Sequence, residues 1–202
     1  MVVCVGVAAH ADAQVLLDRV VARVGGVAIT ESDVRSAIGL GVIELPSGAD
    51  PLVDGTRAMI DRQLVLREVN RFKPPPPDEA AIAESVAMMK TRAGTQLKTL
   101  MESTGLDDNR LRAMARDTLS IQIYVNQRFG TTAQASLQDA REYYEKHPED
   151  FRRNGSILPF EQVETAARTA ASNERRRATI ADWITGLRTR GDVVERATPS
   201  PR

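Results

Sequence analysis

The sequence has 202 residues, which suits one domain, or one domain with an appendage, and is long enough to bury a core. Hydrophobic residues make up 42% and aromatic residues only 4%, so the core should be aliphatic and suits helices better than a β-sandwich. Because 27 basic and 27 acidic residues leave no net charge to attract phosphates, nucleic acid is not an expected partner.

The N-terminal residues differ in composition from the rest. The stretch MVVCVGVAAHADAQ joins a short apolar run to small residues at Ala11 and Ala13, as at a signal-peptide cleavage site. Residues 1–13 are therefore predicted to be the remainder of a secretory signal peptide, although no Lys or Arg precedes Arg19. A buried N-terminal strand is the alternative. Cleavage would remove Cys4, the only cysteine, which is compatible with an oxidising compartment.

Two β-branched runs in residues 19–29 are joined by Gly25-Gly26, and glycine's tolerance of positive φ favours a tight hairpin there. The next residues, 30–33, read TESD, which has the form of a capping box and predicts a short helix ending near Gly39 or Gly41. A β-hairpin followed directly by a helix is therefore expected near the N-terminus.

Helical patterns dominate the remainder of the chain. A helix is predicted from Asp50 to Phe72, and the proline run at 74–77 ends it as a spacer rather than as a docking motif. Further helices are predicted on each side of Gly94 and over about residues 107–128. Another is predicted from a second capping box at 136–139 to Pro148. The last runs from Pro159 to Thr189 and is followed by a strand at 192–195. No apolar run outside the N-terminus approaches the ~20 residues of a membrane span, so no integral span is expected.

Residue patterns typical of catalysis are missing from the sequence. His10 lies in the predicted signal peptide, and His147 stands at a helix end before Pro148. No nucleophile elbow, zinc-protease motif or phosphate-binding loop occurs, and the Arg run at 175–177 spreads around a helix rather than forming one patch. We therefore predict no catalytic residue, no metal site and no cofactor.

The methionines suggest a binding surface instead. Apart from Met1, all of them fall in the central helical section, and pliable thioethers can repack against many shapes. Core packing is the simpler interpretation of each, with Met88 as the best exception because Met89 occupies the apolar stripe. The candidate client-binding residues are Met59, Leu66, Met88, Met89, Met101 and Met114.

Four segments then occur in a recognisable order: RVVARVGGVAITESDVR, MIDRQLVLREVNRF, LQDAREYYEKHPEDF and PFEQVETAARTAASNERRRATIADWITGLRTRGDVV. In this order they resemble the SurA-type and related parvulin-associated chaperones of the bacterial periplasm. The first two are similar to the opening strand and helices of that family, the third to the segment that leads into the parvulin domain, and the last to the helix and strand that follow it. The resemblance covers about residues 18–196.

The resemblance implies a mostly α, multi-helix chaperone module with a small β-hairpin that pairs with a C-terminal strand. Residues 14–151 and 159–196 would build this module, residues 152–158 would form a short loop in place of the parvulin domain, and 197–202 would be a disordered tail. Seven residues, RRNGSIL, cannot build a parvulin domain, and His147 is the only histidine after the predicted signal peptide. No isomerase site is therefore transferred to this chain.

Three hypotheses about function follow. The first is a periplasmic, holdase-like chaperone that binds unfolded or partly folded exported proteins, such as outer-membrane proteins, through an apolar groove and without ATP. The second is a non-enzymatic assembly subunit that binds one folded partner or itself, as in a homodimer. The third and least favoured is a peptidyl-prolyl isomerase with an unrecognised site.

Overall fold

The helices and strands follow the predicted order. A computed structural model describes residues 18–130 and 135–196, so the predicted signal peptide at 1–13 and the predicted tail at 197–202 lie outside the described residues. The elements are β1 (Val20–Val24), β2 (Val27–Thr30), α1 (Glu31–Gly39), α2 (Val53–Phe72), α3 (Glu79–Ala93), α4 (Leu97–Thr104), α5 (Asp108–Phe129), α6 (Leu137–Lys146), β3 (Arg152–Arg153), β4 (Ser156–Ile157), α7 (Phe160–Arg190) and β5 (Val193–Glu195). Short 3-10 turns occupy Gly94–Gln96 and Pro148–Phe151.

The two ends of the described chain meet in one antiparallel sheet, which confirms the predicted pairing. Its strand order is β2-β1-β5, with Arg23 of β1 opposite both Ala28 and Val194. Gly25 and Gly26 have φ angles of +54° and +84°, as a type I′ hairpin turn requires at its two central positions. The mostly α fold with this small sheet is thus the predicted fold class.

Both predicted capping boxes are present. At the start of α1, the Asp33 N–H donates to Thr30 Oγ1 at 3.2 Å and the Thr30 N–H donates to Asp33 Oδ2 at 2.9 Å. Ser136 and Asp139 repeat the arrangement at the start of α6, with distances of 3.2 and 2.7 Å. Each box satisfies N–H groups that the helix itself leaves without a partner.

The sheet packs on α2 and on the end of α7, and this contact forms the sheet core. Its buried members are Val21, Ala22, Val24, Ile29, Val34, Ile60, Leu64, Val65 and Leu187, with Trp183 and Ile184 partly buried against them. Because Leu187 lies far along the chain from the rest, the C-terminal helix completes the hydrophobic core that the N-terminal residues begin.

The remaining helices build two further cores. A helical core lies between α1, α3, α4 and α5, and its buried members are Leu40, Ile82, Met89, Ala93, Leu106, Leu111 and Ala115. The first half of α7 packs on α6 instead, around Ala140, Phe151, Phe160, Val163 and Ala167. The long helix α7 therefore joins the sheet core to this separate α6 contact.

Two local predictions differ from the structure. The second helix begins at Val53 rather than Asp50, because the Asp50 carboxylate accepts the N–H groups of Leu52 and Val53 at 2.9 and 2.7 Å and so precedes the helix. Residues 152–158, which were predicted as a short loop, contain a tight hairpin: β3 and β4 pair around Asn154-Gly155, whose φ angles are +49° and +85°. Asn-Gly is the strongest short hairpin signal, which explains this turn.

Candidate functional site

A cleft opens between strand β2 and helices α1, α2 and α5, beside the sheet core. Its volume is about 250 Å³. We call it the edge cleft, because β2 is an outer strand of the sheet. Its lining residues are Val27, Ala28, Ile29, Asp33, Met59, Arg62, Gln63, Leu66, Arg110, Ala113, Met114 and Asp117.

Helices α2 and α5 line the edge cleft with equivalent faces. The α2 residues at positions 59, 62, 63 and 66 and the α5 residues at positions 110, 113, 114 and 117 have the same spacing, i, i+3, i+4 and i+7. Residues at this spacing lie on one face of a helix. The walls of the cleft are therefore two helix faces and one strand, so its shape depends on regular secondary structure rather than on loops.

The apolar part of the edge cleft brings side chains from three elements together. Met59 and Leu66 come from α2, Met114 comes from α5, and Val27 of β2 is 47% exposed beside them. The thioethers of the two methionines have several rotatable bonds and can adapt to differently shaped apolar side chains. An adaptable apolar surface bounded by polar groups is the arrangement found at promiscuous protein-binding sites.

Hydrogen bonds hold the two arginines of the edge cleft in place. Arg110 Nη2 donates to Asp33 Oδ1 at 2.6 Å, while the other carboxylate oxygen of Asp33 belongs to the capping box of α1. Arg62 Nη2 donates to the carbonyl oxygen of Met114 at 3.2 Å and to Thr118 Oγ1 at 2.9 Å. These contacts join α1 and α2 to α5. They therefore hold the walls of the cleft at a fixed distance and also satisfy the charged groups.

Asp117 and Arg62 both line the edge cleft, and within the described ranges neither has an ion-pair partner within 4 Å. Burial raises the pKa of its carboxyl, and the positive charges of Arg62 and Arg116 offset that rise only in part. Burial likewise lowers the pKa of Arg62, against the attraction of Asp117. Within residues 18–130 and 135–196, no cationic group lies within 4 Å of the Asp117 carboxylate, whereas Arg116 is paired with Glu79 at 3.2 Å. A cation beside Asp117 would therefore be attracted by its carboxylate, and the positive charge of Arg62 would reduce that attraction.

The structure separates the predicted client-binding residues into groups. Met59, Leu66 and Met114 line the edge cleft, where the two methionines are partly exposed and Leu66 is only 9% exposed. Met89 is buried in the helical core with 6% exposure. Met101 and Met114 both pack against that core, but only Met114 also lines the edge cleft. Met88 is 59% exposed on α3, as its place off the apolar stripe predicted, but it does not line the edge cleft as Met59, Leu66 and Met114 do.

Sequence reasoning missed the charged residues of the site: Asp33, Arg62, Arg110 and Asp117. A signal was present, because the patterns M-x-x-R-Q-x-x-L in α2 and R-x-x-A-M-x-x-D in α5 each place charged and apolar side chains on one helix face. Charged residues at such spacings are usually solvated, and only the packing of α5 against α2 and β2 distinguishes these two faces from the others.

Comparison of the sequence with family models and with curated proteins identifies no relative. In the described ranges, no three His, Cys, Asp or Glu side chains are grouped as a metal site would require. None of the helices in those ranges has the length and apolar character needed to cross a membrane.

Proposed function

We propose that this protein is a holdase-like chaperone of the periplasm, which binds unfolded or partly folded segments of exported polypeptides in the edge cleft without ATP. The observation that carries the proposal is the convergence of Met59, Leu66 and Met114 beside the outer strand β2. Pliable apolar side chains from separate elements suit many apolar side chains equally and no single sequence.

The size of the edge cleft favours a chain segment over a compact ligand. Small-molecule sites have volumes of roughly 300–1,000 Å³ and enclose most of the ligand. The edge cleft, at about 250 Å³, lies below that range and is open to solvent. It can take a few side chains of a longer chain that runs past it. Each such contact contributes on the order of 1 kcal/mol, so binding is weak and reversible at any single position.

A second candidate is a subunit that binds one folded partner or a second copy of itself. Large apolar side chains that are exposed outside the edge cleft favour it: Phe72 at 54%, Met88 at 59% and Val194 at 56%. A fixed partner predicts a saturable complex of defined stoichiometry, whereas a holdase predicts complexes with many unrelated unfolded chains. Sizing chromatography with multi-angle light scattering, with and without cell extract, separates the two.

Aggregation of an unfolded outer-membrane protein tests the holdase proposal. The client is diluted from urea with the full-length protein at equimolar ratio, and light scattering follows aggregation. Wild type should suppress scattering, and Ala113→Glu, which places a charge in the edge cleft at an exposed position, should suppress it much less. Ala87→Glu makes the same change on an exposed face of α3 and serves as the control. Undiminished scattering with excess wild type would refute the proposal.

A further inference from the structure

The outer edge of β2 carries backbone groups that the sheet does not use. At the two ends of β1, the N–H of the turn residue Gly25 donates to Asp192 O at 2.8 Å, and Val21 O accepts from the Arg196 N–H at 2.9 Å. Backbone groups of a strand alternate in direction from one residue to the next. Beyond the irregularity between Val20 and Ala22, Arg23 therefore bonds to β5, while Ala22 and Val24 bond to β2.

This alternation fixes the direction of the groups on β2. Ala28 is opposite Arg23, which bonds to β5, so the pair is not hydrogen-bonded and the N–H and C=O of Ala28 point away from β1. Thr30, two residues on, also points its N–H outward, where Asp33 accepts it in the capping box. Ala28 is exposed, and in the part of the chain that the structure describes neither of its backbone groups has a hydrogen-bond partner.

The edge at Ala28 and the apolar surface belong to the same site. Val27, Ala28 and Ile29 line the edge cleft together with the stripes of α2 and α5. A chain laid along β2 would turn alternate side chains toward one face of the sheet and the others toward the opposite face. Apolar side chains at every second position would then contact the methionines, while the intervening side chains stayed in water.

The charged residues of the edge cleft favour one class of bound polypeptide segment. Arg110 is already paired with Asp33, but the Asp117 carboxylate has no cation within 4 Å among residues 18–130 and 135–196. A Lys or Arg side chain that reaches the Asp117 carboxylate would compensate this half-buried anion, whereas a Glu or Asp side chain would oppose it. Arg62, which lines the same cleft, reduces this preference, but its guanidinium is bound to Met114 O and Thr118 Oγ1.

We propose that the edge cleft binds an extended polypeptide segment, which adds to the outer edge of β2 as a further strand by hydrogen-bonding to the backbone of Ala28. The segment has alternating apolar and polar residues and one basic side chain, and this basic side chain pairs with Asp117. This inference rests on the proposed function, since the added strand is the unfolded chain itself. Recognition by backbone hydrogen bonds is indifferent to sequence and would allow one site to accept many clients.

Alternate N-methylation of a peptide tests the strand pairing. The probe is a fluorescently labelled ten-residue peptide of alternating Val and Ser with one Lys, titrated with the full-length protein and followed by anisotropy. Two further peptides carry N-methyl groups on the odd or the even amides. Because one set of amides faces β2 and the other faces solvent, one methylated peptide should bind about tenfold more weakly and the other as well as the parent. Equal affinities of all three would overturn the strand pairing and leave the holdase proposal standing; absence of binding by the parent would overturn both.

Two variants of the protein, rather than of the peptide, test the same contacts. Ala28→Pro removes the outward N–H without removing a bond to β1, and edge strands tolerate proline, so the melting temperature should stay within a few degrees while affinity falls about fivefold. Replacing the peptide's Lys by Glu should weaken binding to wild type but not to Asp117→Asn. An unchanged affinity of a folded Ala28→Pro variant, or an equal Lys-to-Glu effect in both proteins, would contradict the assignment.

Discussion

Leu187→Ala tests whether the C-terminal helix completes the core begun by the N-terminal residues. Leu187 is 8% exposed and packs in the sheet core near the end of α7. Its neighbours in the helix fix it there: Arg188 bonds to the Asp61 carboxylate and donates to Arg57 O at 2.9 Å. A Cβ on Gly191, the residue after α7, would lie only 2.7 Å from a methyl carbon of Leu64, so the chain passes close to an α2 side chain at this point.

The expected loss can be estimated from this environment. Leu→Ala substitutions in cores cost about 2–5 kcal/mol, and the lower half of the range applies because Leu187 lies near a helix end. In a domain of this size, about 2–3 kcal/mol corresponds to a melting temperature lowered by roughly 4–12 °C. Leu137→Ala is the matched control, since Leu137 is 42% exposed at the start of α6 and should change stability by less than about 0.5 kcal/mol.

Urea unfolding followed by tryptophan fluorescence measures the effect. Trp183 is the only tryptophan and lies one turn before Leu187, packed against the same sheet core. The midpoint should fall for Leu187→Ala with an unchanged slope, because the surface exposed on unfolding is nearly the same. A midpoint equal to wild type, or an equal fall in Leu137→Ala, would refute the shared core.

Three further predictions concern the sheet, the first helix and the edge cleft. A chain ending at Gly191 loses β5, whereas a chain ending at Arg196 keeps the hydrogen bonds between β1 and β5. The melting temperature of the shorter chain should therefore be several degrees lower. Coincident thermal unfolding curves of the two chains would argue against the pairing. Thr30→Ala removes the side-chain acceptor of the α1 cap and should lower the free energy of unfolding by about 1 kcal/mol in urea, so an unchanged value would show that the cap is dispensable. Burial raises the pKa of Asp117, so the folded protein binds the carboxyl proton more tightly than the unfolded chain does. The free energy of unfolding of wild type should therefore fall relative to that of Asp117→Asn as the pH rises above about 4. Parallel pH profiles of the two proteins in urea unfolding would contradict this prediction.

Much of the fold was predictable because local residue choices agree with it. The Gly25-Gly26 turn and the two capping boxes mark element boundaries through interactions within a few residues, and such signals survive in any tertiary context. The start of α2 was predicted too early because Asp50 resembles a first-turn acid, while its carboxylate in fact satisfies N–H groups before and at the helix start. The Asn154-Gly155 hairpin carried its own signal, which the expectation of a short loop obscured.

The site was less predictable, because it depends on which helix faces meet. Met89 and Met114 both occupy apolar helical stripes, yet one is buried in the helical core and the other lines the edge cleft. The difference lies in how α3 and α5 are rotated against their neighbours, and side-chain spacing within one helix contains no information about that rotation. The shifted pKa of Asp117 could not be predicted from the sequence either, because it depends on burial in the folded protein.

Site-directed photo-crosslinking tests most directly whether the edge cleft holds unfolded chains. A photo-activatable residue replaces Ala113 in the cleft or Met88 on the exposed face of α3, and each protein is irradiated with an unfolded outer-membrane protein diluted from urea. We expect crosslinked complexes from position 113, competed away by unlabelled unfolded client, and few from position 88. Equal crosslinking from both positions, or crosslinking from position 88 alone, would contradict a chaperone function located in the edge cleft.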